Sequence, residues 1–327
     1  MVARRCGGRG EAGRDVQCAP MSRRTRVLAL LGLVVTSLVA WPAPALVQQA
    51  PAVTVRFGVI AEEPNEPDRM FKVYSPLLAL LRRRAEPAGV RVGELVIARD
   101  LDDLAQRIAR REVDFVLESV FPMLSLRERS GSLDPALLVV RRGERQYRSV
   151  FFTRRESPIK SLADLRGRTL VLQAVRSTSA FALPRAELAR LGMRLVDADD
   201  SAADPKAVRY VLALAEVNQA VWVLHEKGDA GAFNEGDWQA LPEKVRERLR
   251  IFERSRPIQR GLIAFRDGLD ATTRHTLEQV LLGLHEDEAG KDVLAQAAGI
   301  TRFERLTPTE RREVLEWAKV LLPARPR

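Results

Sequence analysis

The chain has 327 residues, of which 46% are hydrophobic and 29% are charged, and its formal net charge is +10. This length and apolar content suffice for two lobes that each bury a core. Seven arginines but only two acidic residues lie within residues 1–45, so the remainder has a net charge of +5 with both signs interspersed. That even spread excludes the basic stripe of a nucleic-acid-binding protein, and it suits a small anionic ligand.

Residues 1–45 have the parts of a secretory signal peptide. A basic segment at 22–26 precedes a largely apolar run of 15 residues at 27–41, and Pro-Ala-Pro-Ala at 42–45 supplies small residues for cleavage. Met21 stands directly before the basic segment and is a more natural start than Met1. The alternative is a membrane anchor, for which the apolar run is short, because about 20 residues span a bilayer. We therefore expect export to the periplasm.

Both cysteines, Cys6 and Cys18, fall before or within this segment. The exported chain then contains no cysteine, and we expect neither a disulfide nor thiolate chemistry.

The first half of the exported chain alternates strands with amphipathic helices. The sequence predicts strands at 54–61, 93–98, 114–119 and 136–141, and helices at 74–84, 100–111 and 122–129. Such alternation favours a parallel sheet that helices cover on both faces.

A further strand at 147–153 is interpreted as the crossing into a second lobe. There the sequence predicts a short capped helix at 161–167, a strand at 168–172, a helix to about 191 that Pro184 kinks or splits, a helix at 204–217, a strand at 219–224 and a short helix at 242–249.

A strand at 260–266 is predicted to return the chain to the first lobe, on which helices at 272–284, 289–297 and 309–322 pack. The predicted fold class is α/β, with two lobes, two crossover strands and a cleft between the lobes. Lobe 1 comprises residues 53–146 and 258–327, and lobe 2 comprises 147–257. A cleft of this kind favours a ligand at the lobe interface.

Three hydroxyl residues in a row, Ser177, Thr178 and Ser179, follow the strand at 168–172 and begin the next helix. The first turn of a helix has backbone N–H groups without intrahelical acceptors, and the positive end of the helix dipole lies there. This arrangement suits a tetrahedral oxyanion. The alternative is an ordinary helix N-cap.

Three segments resemble the phosphate/phosphite/phosphonate-binding periplasmic proteins of ABC importers. They are Tyr147-Arg148-Ser149-Val150, the sequence Ser-Leu-Ala-Asp-Leu-Arg-Gly-Arg-Thr at 161–169, and Ser177-Thr178-Ser179. The likeness extends from Phe57-Gly58-Val59-Ile60 through Tyr74-Ser75-Pro76-Leu77 to the segment 299–303. It implies the type II periplasmic binding protein fold, in which two lobes close on an oxyanion.

The resemblance also implies roles for particular residues. Hydroxyls and amides of 177–179 hold the oxyanion, Tyr74 lines the cleft, and Glu118 and Ser119 face the ligand at the end of the third strand. Phosphonate binders often have an aromatic residue where Glu118 stands, and the acidic residue expected after Val217 is missing. The turn at 203–206 is a candidate source of an acidic group for an amine on the ligand, and amine recognition stays open.

Residues near these segments are further candidates. Glu118 can accept a hydrogen bond from a protonated P–OH group or bind a ligand cation, and the alternative is a solvated carboxylate at a strand end. Arg176 either adds charge to the oxyanion site or faces solvent. Tyr147 borders the first crossing and can reach the cleft.

Catalytic and cofactor signatures are not found in the sequence. The three histidines do not have metal-ligand spacing, and Ser177 has no His and Asp partners in a recognisable motif. No dinucleotide or P-loop motif occurs. We expect no enzyme activity, no cofactor and no metal.

The sequence therefore predicts a monomeric periplasmic solute-binding protein that captures phosphate, phosphite or a phosphonate for an ABC permease. The alternative is a ligand-sensing subunit for a membrane histidine kinase or diguanylate cyclase. An enzyme acting on an anionic substrate is a third, less favoured hypothesis, because an acid–base constellation is not found.

Overall fold

A computed structural model describes residues 53–61 and 67–322 of the chain. The signal-peptide interpretation, the alternative membrane anchor and both cysteines lie outside these residues. Among the described helices, none combines the length and apolar character needed to cross a bilayer.

The described residues form sixteen strands, most of them short. In chain order they are β1 Val53–Val55, β2 Phe57–Ile60, β3 Val90–Val92, β4 Val96–Ala98, β5 Phe115–Glu118, β6 Leu133–Arg141, β7 Gln146–Tyr147, β8 Ser149–Arg154, β9 Thr169–Leu172, β10 Leu195–Asp197, β11 Val208–Leu212, β12 Ala230–Asn234, β13 Leu249–Arg254, β14 Ile258–Gln259, β15 Leu262–Arg266 and β16 Ile300–Arg305.

Helices connect and cover these strands. They are α1 Pro67–Ala85, α2 Leu101–Ala109, α3 Val120–Ser130, α4 Leu183–Arg190, α5 Glu216–Leu224, α6 Glu235–Ala240, α7 Glu243–Arg246, α8 Ala271–Gly283, α9 Glu288–Gln296 and α10 Pro308–Leu321. A π-helical turn, Thr178–Ala182, leads directly into α4.

Two six-stranded sheets organise the chain. The first sheet has the order β16-β6-β15-β5-β2-β4, and the second has the order β10-β11-β9-β12-β8-β13. The chain leaves the first sheet after β6 and returns to it at β15. Strand β7 lies in the segment that leads to the second sheet and β14 in the segment that leads back, and these two strands pair with each other. The α/β class and the two sheets are confirmed. All described residues fall within one compact unit, Gln49–Arg327, so the lobe boundaries stay a prediction.

Both sheets are mixed rather than purely parallel. In the first sheet β15 runs antiparallel to both β5 and β6, and in the second sheet β8 runs antiparallel to β12 and β13. These antiparallel strands stand where the chain enters and leaves the second sheet. The expected parallel arrangement is found in part of each sheet, among β4, β2 and β5 and among β10, β11, β9 and β12, whereas the crossing strands are antiparallel.

Alternating side chains place a core on each face of the first sheet. Phe57 and Phe115 stack at 4.9 Å on the face covered by α1, α8 and α9, whereas Ile60 and Val116 face α2, α3 and α10. Phe151 and Phe152 likewise face opposite sides of the second sheet. Coverage on both faces is therefore as expected.

For residues 204–224 the sequence predicts a helix followed by a strand, and the structure has a strand followed by a helix. The predicted helix at 204–217 contains β11, and the predicted strand at 219–224 lies within α5. In α5 the buried residues are Gln219, Ala220 and Val223, which lie on one face at helical spacing. Packing of this face against the sheet overrides the β propensity of Val221 and Val223.

Candidate functional site

A cavity of about 750 Å³ lies where strands of both sheets end. Its walls include residues just after β5 and β6 of the first sheet and just after β9, β11 and β12 of the second. Carboxyl ends of strands are the common place for ligands in α/β sheets. We call this the main cavity.

Seven of the eight residues predicted from the sequence line the main cavity. They are Glu118, Ser119, Tyr147, Arg176, Ser177, Thr178 and Ser179. The eighth, Tyr74, lines a neighbouring cavity of about 290 Å³, which shares Glu118, Ser119 and Arg176 with the main cavity. The structure thus brings all eight residues to one region, and their roles in ligand binding stay predictions.

Ser177 is the N-cap of the helix that the triplet begins. Its Oγ accepts a hydrogen bond from the Ala180 amide at 3.1 Å, and its carbonyl accepts one from the Ala182 amide at 2.9 Å. The second bond spans five residues and forms the π-helical turn. The amides of Thr178 and Ser179 precede Ala182, so they have no acceptor within the helix.

Thr178 joins the two sheets through its hydroxyl. The Oγ1 atom accepts a hydrogen bond from the Phe121 amide at 3.0 Å and lies 3.0 Å from the hydroxyl oxygen of Ser119. Ser119 is the N-cap residue of α3 but makes no side-chain capping bond of its own. Thr178 therefore caps α3 from the other sheet, and its backbone amide rather than its hydroxyl is available to a ligand.

Ser179 makes hydrogen bonds through both its backbone carbonyl and its side chain. Its carbonyl accepts a hydrogen bond from the Ser149 hydroxyl at 2.7 Å, and its side chain hydrogen-bonds with Tyr147. Only 2% of Thr178 and 6% of Ser179 is exposed. A site buried this deeply restricts water, which strengthens each polar contact inside it.

The Tyr147 phenol is buried beside this turn. Burial raises its pKa, against the opposing effects of the Arg260 charge and of hydrogen bonds with Thr178 and Ser179. The Arg260 guanidinium lies 4.8 Å from the centre of the Tyr147 ring. Tyr147 consequently stays protonated at neutral pH and can donate a hydrogen bond.

Four arginines that the sequence analysis did not single out also line the main cavity: Arg69, Arg141, Arg142 and Arg260. The Nε atom of Arg141 is buried and has no hydrogen-bond partner among the described residues. The Nε atom of Arg260 lies 3.6 Å from the Oε2 atom of Glu144, a distance that makes an ion pair but not a hydrogen bond. A buried guanidinium nitrogen without an acceptor favours an anion in the cavity.

Two carboxylates of the second-sheet side, Glu216 and Asp237, line the same cavity. The Gln173 amide donates to Glu216 at 2.6 Å. Burial and the Glu216 charge raise the pKa of Asp237 to about 6, although Arg260, Arg142 and a hydrogen bond from Asn234 oppose the shift. The turn at 203–206, which the sequence analysis considered as an acidic source, lines neither cavity described here.

Backbone strain is concentrated around the main cavity. Arg142, Leu214 and Ala298 all line it and have positive φ angles of 51°, 62° and 59°, a conformation unusual for residues other than glycine. Leu214 is also 68% exposed. Strain of this kind is common at ligand sites and moving segments.

The chain belongs to the family of periplasmic substrate-binding proteins of phosphonate ABC transporters, whose family model matches residues 57–310. It is similar to XAC2383 from Xanthomonas citri. The chloride-bound structure of that protein has 32% sequence identity and a TM-score of 0.75, covering 82% of this chain and 97% of that chain. The ATP-bound structure has 30% identity and a TM-score of 0.75, covering 82% and 96%.

More distant structures share the fold. PhnD1 from Prochlorococcus marinus in complex with methylphosphonate has 16% identity and a TM-score of 0.59, covering 83% of this chain and 98% of that chain. A binding protein component of an ABC phosphonate transporter from Pseudomonas aeruginosa has 18% identity and a TM-score of 0.58, covering 82% and 87%. A comparison of the sequence with curated proteins gave no significant match.

Proposed function

We propose that this chain is a periplasmic solute-binding protein that captures a small phosphorus oxyanion in the main cavity and delivers it to an ABC permease. The oxyanion is phosphate, phosphite or a phosphonate. The protein acts as a monomer and has no catalytic role. The signal peptide at 1–45 supplies its route to the periplasm.

The observation that carries this proposal is the turn at Ser177–Ser179. Its Thr178 and Ser179 amides have no acceptor within the helix, and the Ser177 hydroxyl stands beside them in a buried wall of the cavity. Donors in this arrangement match the oxygens of a tetrahedral anion. The Tyr147 hydroxyl can add another donor.

Positive charge supports the same conclusion. Arg141 and Arg176 line the cavity together with the triplet, and arginine is the preferred partner of phosphoryl groups. The structures of XAC2383, a relative with about one third sequence identity, hold chloride and ATP, both of which are anionic. These two facts support an anionic ligand rather than a sugar or a neutral amino acid.

Capture requires the two sheets to move. We propose that lobe 1 (53–146 and 258–327) and lobe 2 (147–257) hinge at the two crossings and close on the anion. The closed form presents a joint surface to the permease.

Isothermal titration of the purified exported chain tests the proposal. Phosphate, phosphite and methylphosphonate are titrated separately, with methanesulfonate as a tetrahedral anion of lower charge. We expect at least one phosphorus oxyanion to bind with measurable heat, and the sulfonate to bind more weakly. Folded protein that gives no heat with any phosphorus compound contradicts the proposal.

A further inference from the structure

The main cavity continues into the 290 Å³ cavity that Tyr74 lines, which we call the side cavity. Six residues border both: Arg69, Glu118, Ser119, Arg141, Arg176 and Ala298. Because these residues line both spaces, they mark the junction between them. Five of the six are polar or charged, so the charged part of a ligand is favoured at the junction and in the main cavity.

Beyond the junction the lining changes character. The side-cavity residues that do not touch the main cavity are Gln296 and six apolar or aromatic residues, Val59, Ile60, Met70, Val73, Tyr74 and Leu117. Tyr74 is held in place by an edge-to-face contact with Phe57 at 5.5 Å. This end of the side cavity offers a carbon substituent, above all an aromatic ring, apolar and aromatic contacts away from the charged junction.

Charge in the main cavity limits the anionic part of the ligand. Arg69, Arg141, Arg142, Arg176 and Arg260 face three carboxylates, those of Glu118, Glu216 and Asp237, which leaves a formal charge of +2. One doubly charged phosphoryl group neutralises that excess, whereas a chain of several phosphates exceeds it. The charge balance therefore favours a single phosphoryl group.

Size points to a ligand larger than phosphate. Cavities that enclose whole organic ligands have volumes of about 300–1,000 Å³. The main cavity alone, at about 750 Å³, lies in that range before the side cavity is added. A bare phosphate or methylphosphonate leaves most of this space to water.

We propose that the ligand is a phosphate monoester or phosphonate whose apolar, preferably aromatic, substituent occupies the side cavity. Its phosphoryl group binds at the Ser177–Ser179 turn and the junction arginines. This inference rests on the proposed function, because it extends the same site. The competing direction for the substituent is toward Glu216 and Asp237, which would select an amine instead.

Titration with four probes decides between these directions. Phosphate, methylphosphonate, phenyl phosphate and 2-aminoethylphosphonate are compared under one condition. We expect phenyl phosphate to bind about tenfold more tightly than phosphate, because an apolar group that enters a matching pocket contributes a factor of this order. Equal or weaker binding of phenyl phosphate overturns the inference, as does a preference for the amine.

A variant that fills the side cavity tests whether the preference for phenyl phosphate arises there. Val73→Phe places a ring in the side cavity from α1, and Ala79→Phe adds the same ring at an exposed position of the same helix. The measured quantity is the ratio of the dissociation constants of phosphate and phenyl phosphate. We expect this ratio to fall about tenfold in Val73→Phe and to stay at the wild-type value in Ala79→Phe. A ratio that is unchanged in folded Val73→Phe overturns the inference.

The two proposals fail in different ways. If none of the four probes binds, the proposed function fails and this inference falls with it. If phosphate binds and phenyl phosphate has no advantage, the proposed function stands and only the inference on the substituent is wrong. Thermal unfolding of each variant establishes that the titrated protein is folded.

Discussion

The hydroxyl of Thr178 caps helix α3 by accepting a hydrogen bond from the amide of Phe121, although these residues follow strands of different sheets. Ser119, the N-cap residue of α3, provides no capping bond from its own side chain. The arrangement makes one side chain responsible both for a helix end on the first sheet and for the turn that begins at Ser177. Contact between the sheets and the geometry of the candidate anion site are therefore coupled.

Replacing Thr178 with valine tests this coupling. Valine keeps the shape but removes the acceptor for the buried Phe121 amide and the partner of the Ser119 hydroxyl. We expect the free energy of unfolding to fall by about 1–2 kcal/mol in urea titrations, because a buried donor loses its acceptor. Thr178→Ser keeps the hydroxyl and is expected to lose less than half of that amount. Equal losses in both variants contradict the capping role.

Ser177 has two roles, because its hydroxyl lines the main cavity and also caps the helix, and a second N-cap serine separates anion binding from helix capping. In Ser177→Ala the hydroxyl is lost, and we expect the affinity for phosphate in calorimetry to fall about tenfold, because a hydrogen bond to a charged group contributes about 1.5–3 kcal/mol. Ser161 is a matched control, since it is the N-cap of the short helix Leu162–Leu165 and does not line the main cavity. If Ser161→Ala weakens phosphate binding as much as Ser177→Ala does, the assignment is wrong.

Gln219 shows how α5 is fixed to the second sheet. Its buried amide donates to the Val171 carbonyl at 3.0 Å and to the Ala232 carbonyl at 2.8 Å, and thus joins β9 and β12. We expect Gln219→Leu to lower the free energy of unfolding by about 1–3 kcal/mol, measured by urea denaturation. The exposed neighbour Asn218 is the control, and Asn218→Ala is expected to change it by less than about 0.5 kcal/mol. A neutral Gln219→Leu substitution contradicts this account.

The same helix explains where sequence reasoning failed. Residues 219–224 include two β-branched valines and a tryptophan, so local propensity favours a strand. The buried pair of hydrogen bonds from Gln219 is a tertiary interaction that no local pattern contains. By contrast, the three terminal helices were predicted within two residues at each end, because Thr307 and Asp270 provide strong N-caps and the apolar faces are regular.

Strand β12 was not predicted, and this omission concealed part of the site. Its Ala230-Gly231-Ala232 run lacks the β-branched residues typical of strands. Packing requires these small residues, because a Cβ at Gly231 would lie 2.4 Å from Cζ of Phe152 on the neighbouring strand. Asn234 ends this strand and Asp237 follows it, so neither could be placed at the carboxyl edge of a sheet from the sequence.

Most of the predicted site residues that line the main cavity lie at or shortly after the ends of predicted strands. Glu118 and Ser119 end the strand at 114–119, and the triplet follows the strand at 168–172 by a short turn. Arg141 ends a predicted strand and Arg142 follows it. Many other arginines surround them in the sequence, and only the fold brings them to the same cavity as Arg260.

Asp237 provides a pH-dependent test of the anion site. Its pKa of about 6 lies above the ordinary value of 3.8, because burial and the Glu216 charge disfavour ionisation more than Arg260, Arg142 and Asn234 favour it. A negative Asp237 opposes a bound anion, and protonation below pH 6 removes that repulsion. The affinity for phosphate is therefore expected to rise as the pH falls from 7.5 to 5, beyond the change caused by titration of the ligand itself.

Asp237→Asn separates the protein's contribution from that of the ligand. At pH 7.5 the variant is expected to bind phosphate about three- to tenfold more tightly than the wild type, because it lacks the carboxylate charge. At pH 5 both proteins are neutral at this position, and their dissociation constants should converge. The raised pKa also predicts how folding stability depends on pH. The folded state binds the Asp237 proton more tightly than the unfolded state does. The free energy of unfolding of the wild type therefore falls relative to that of Asp237→Asn as the pH rises through 4–6. Calorimetry at both pH values and urea denaturation between them measure the two effects, and an affinity ratio that does not change with pH contradicts the role of Asp237.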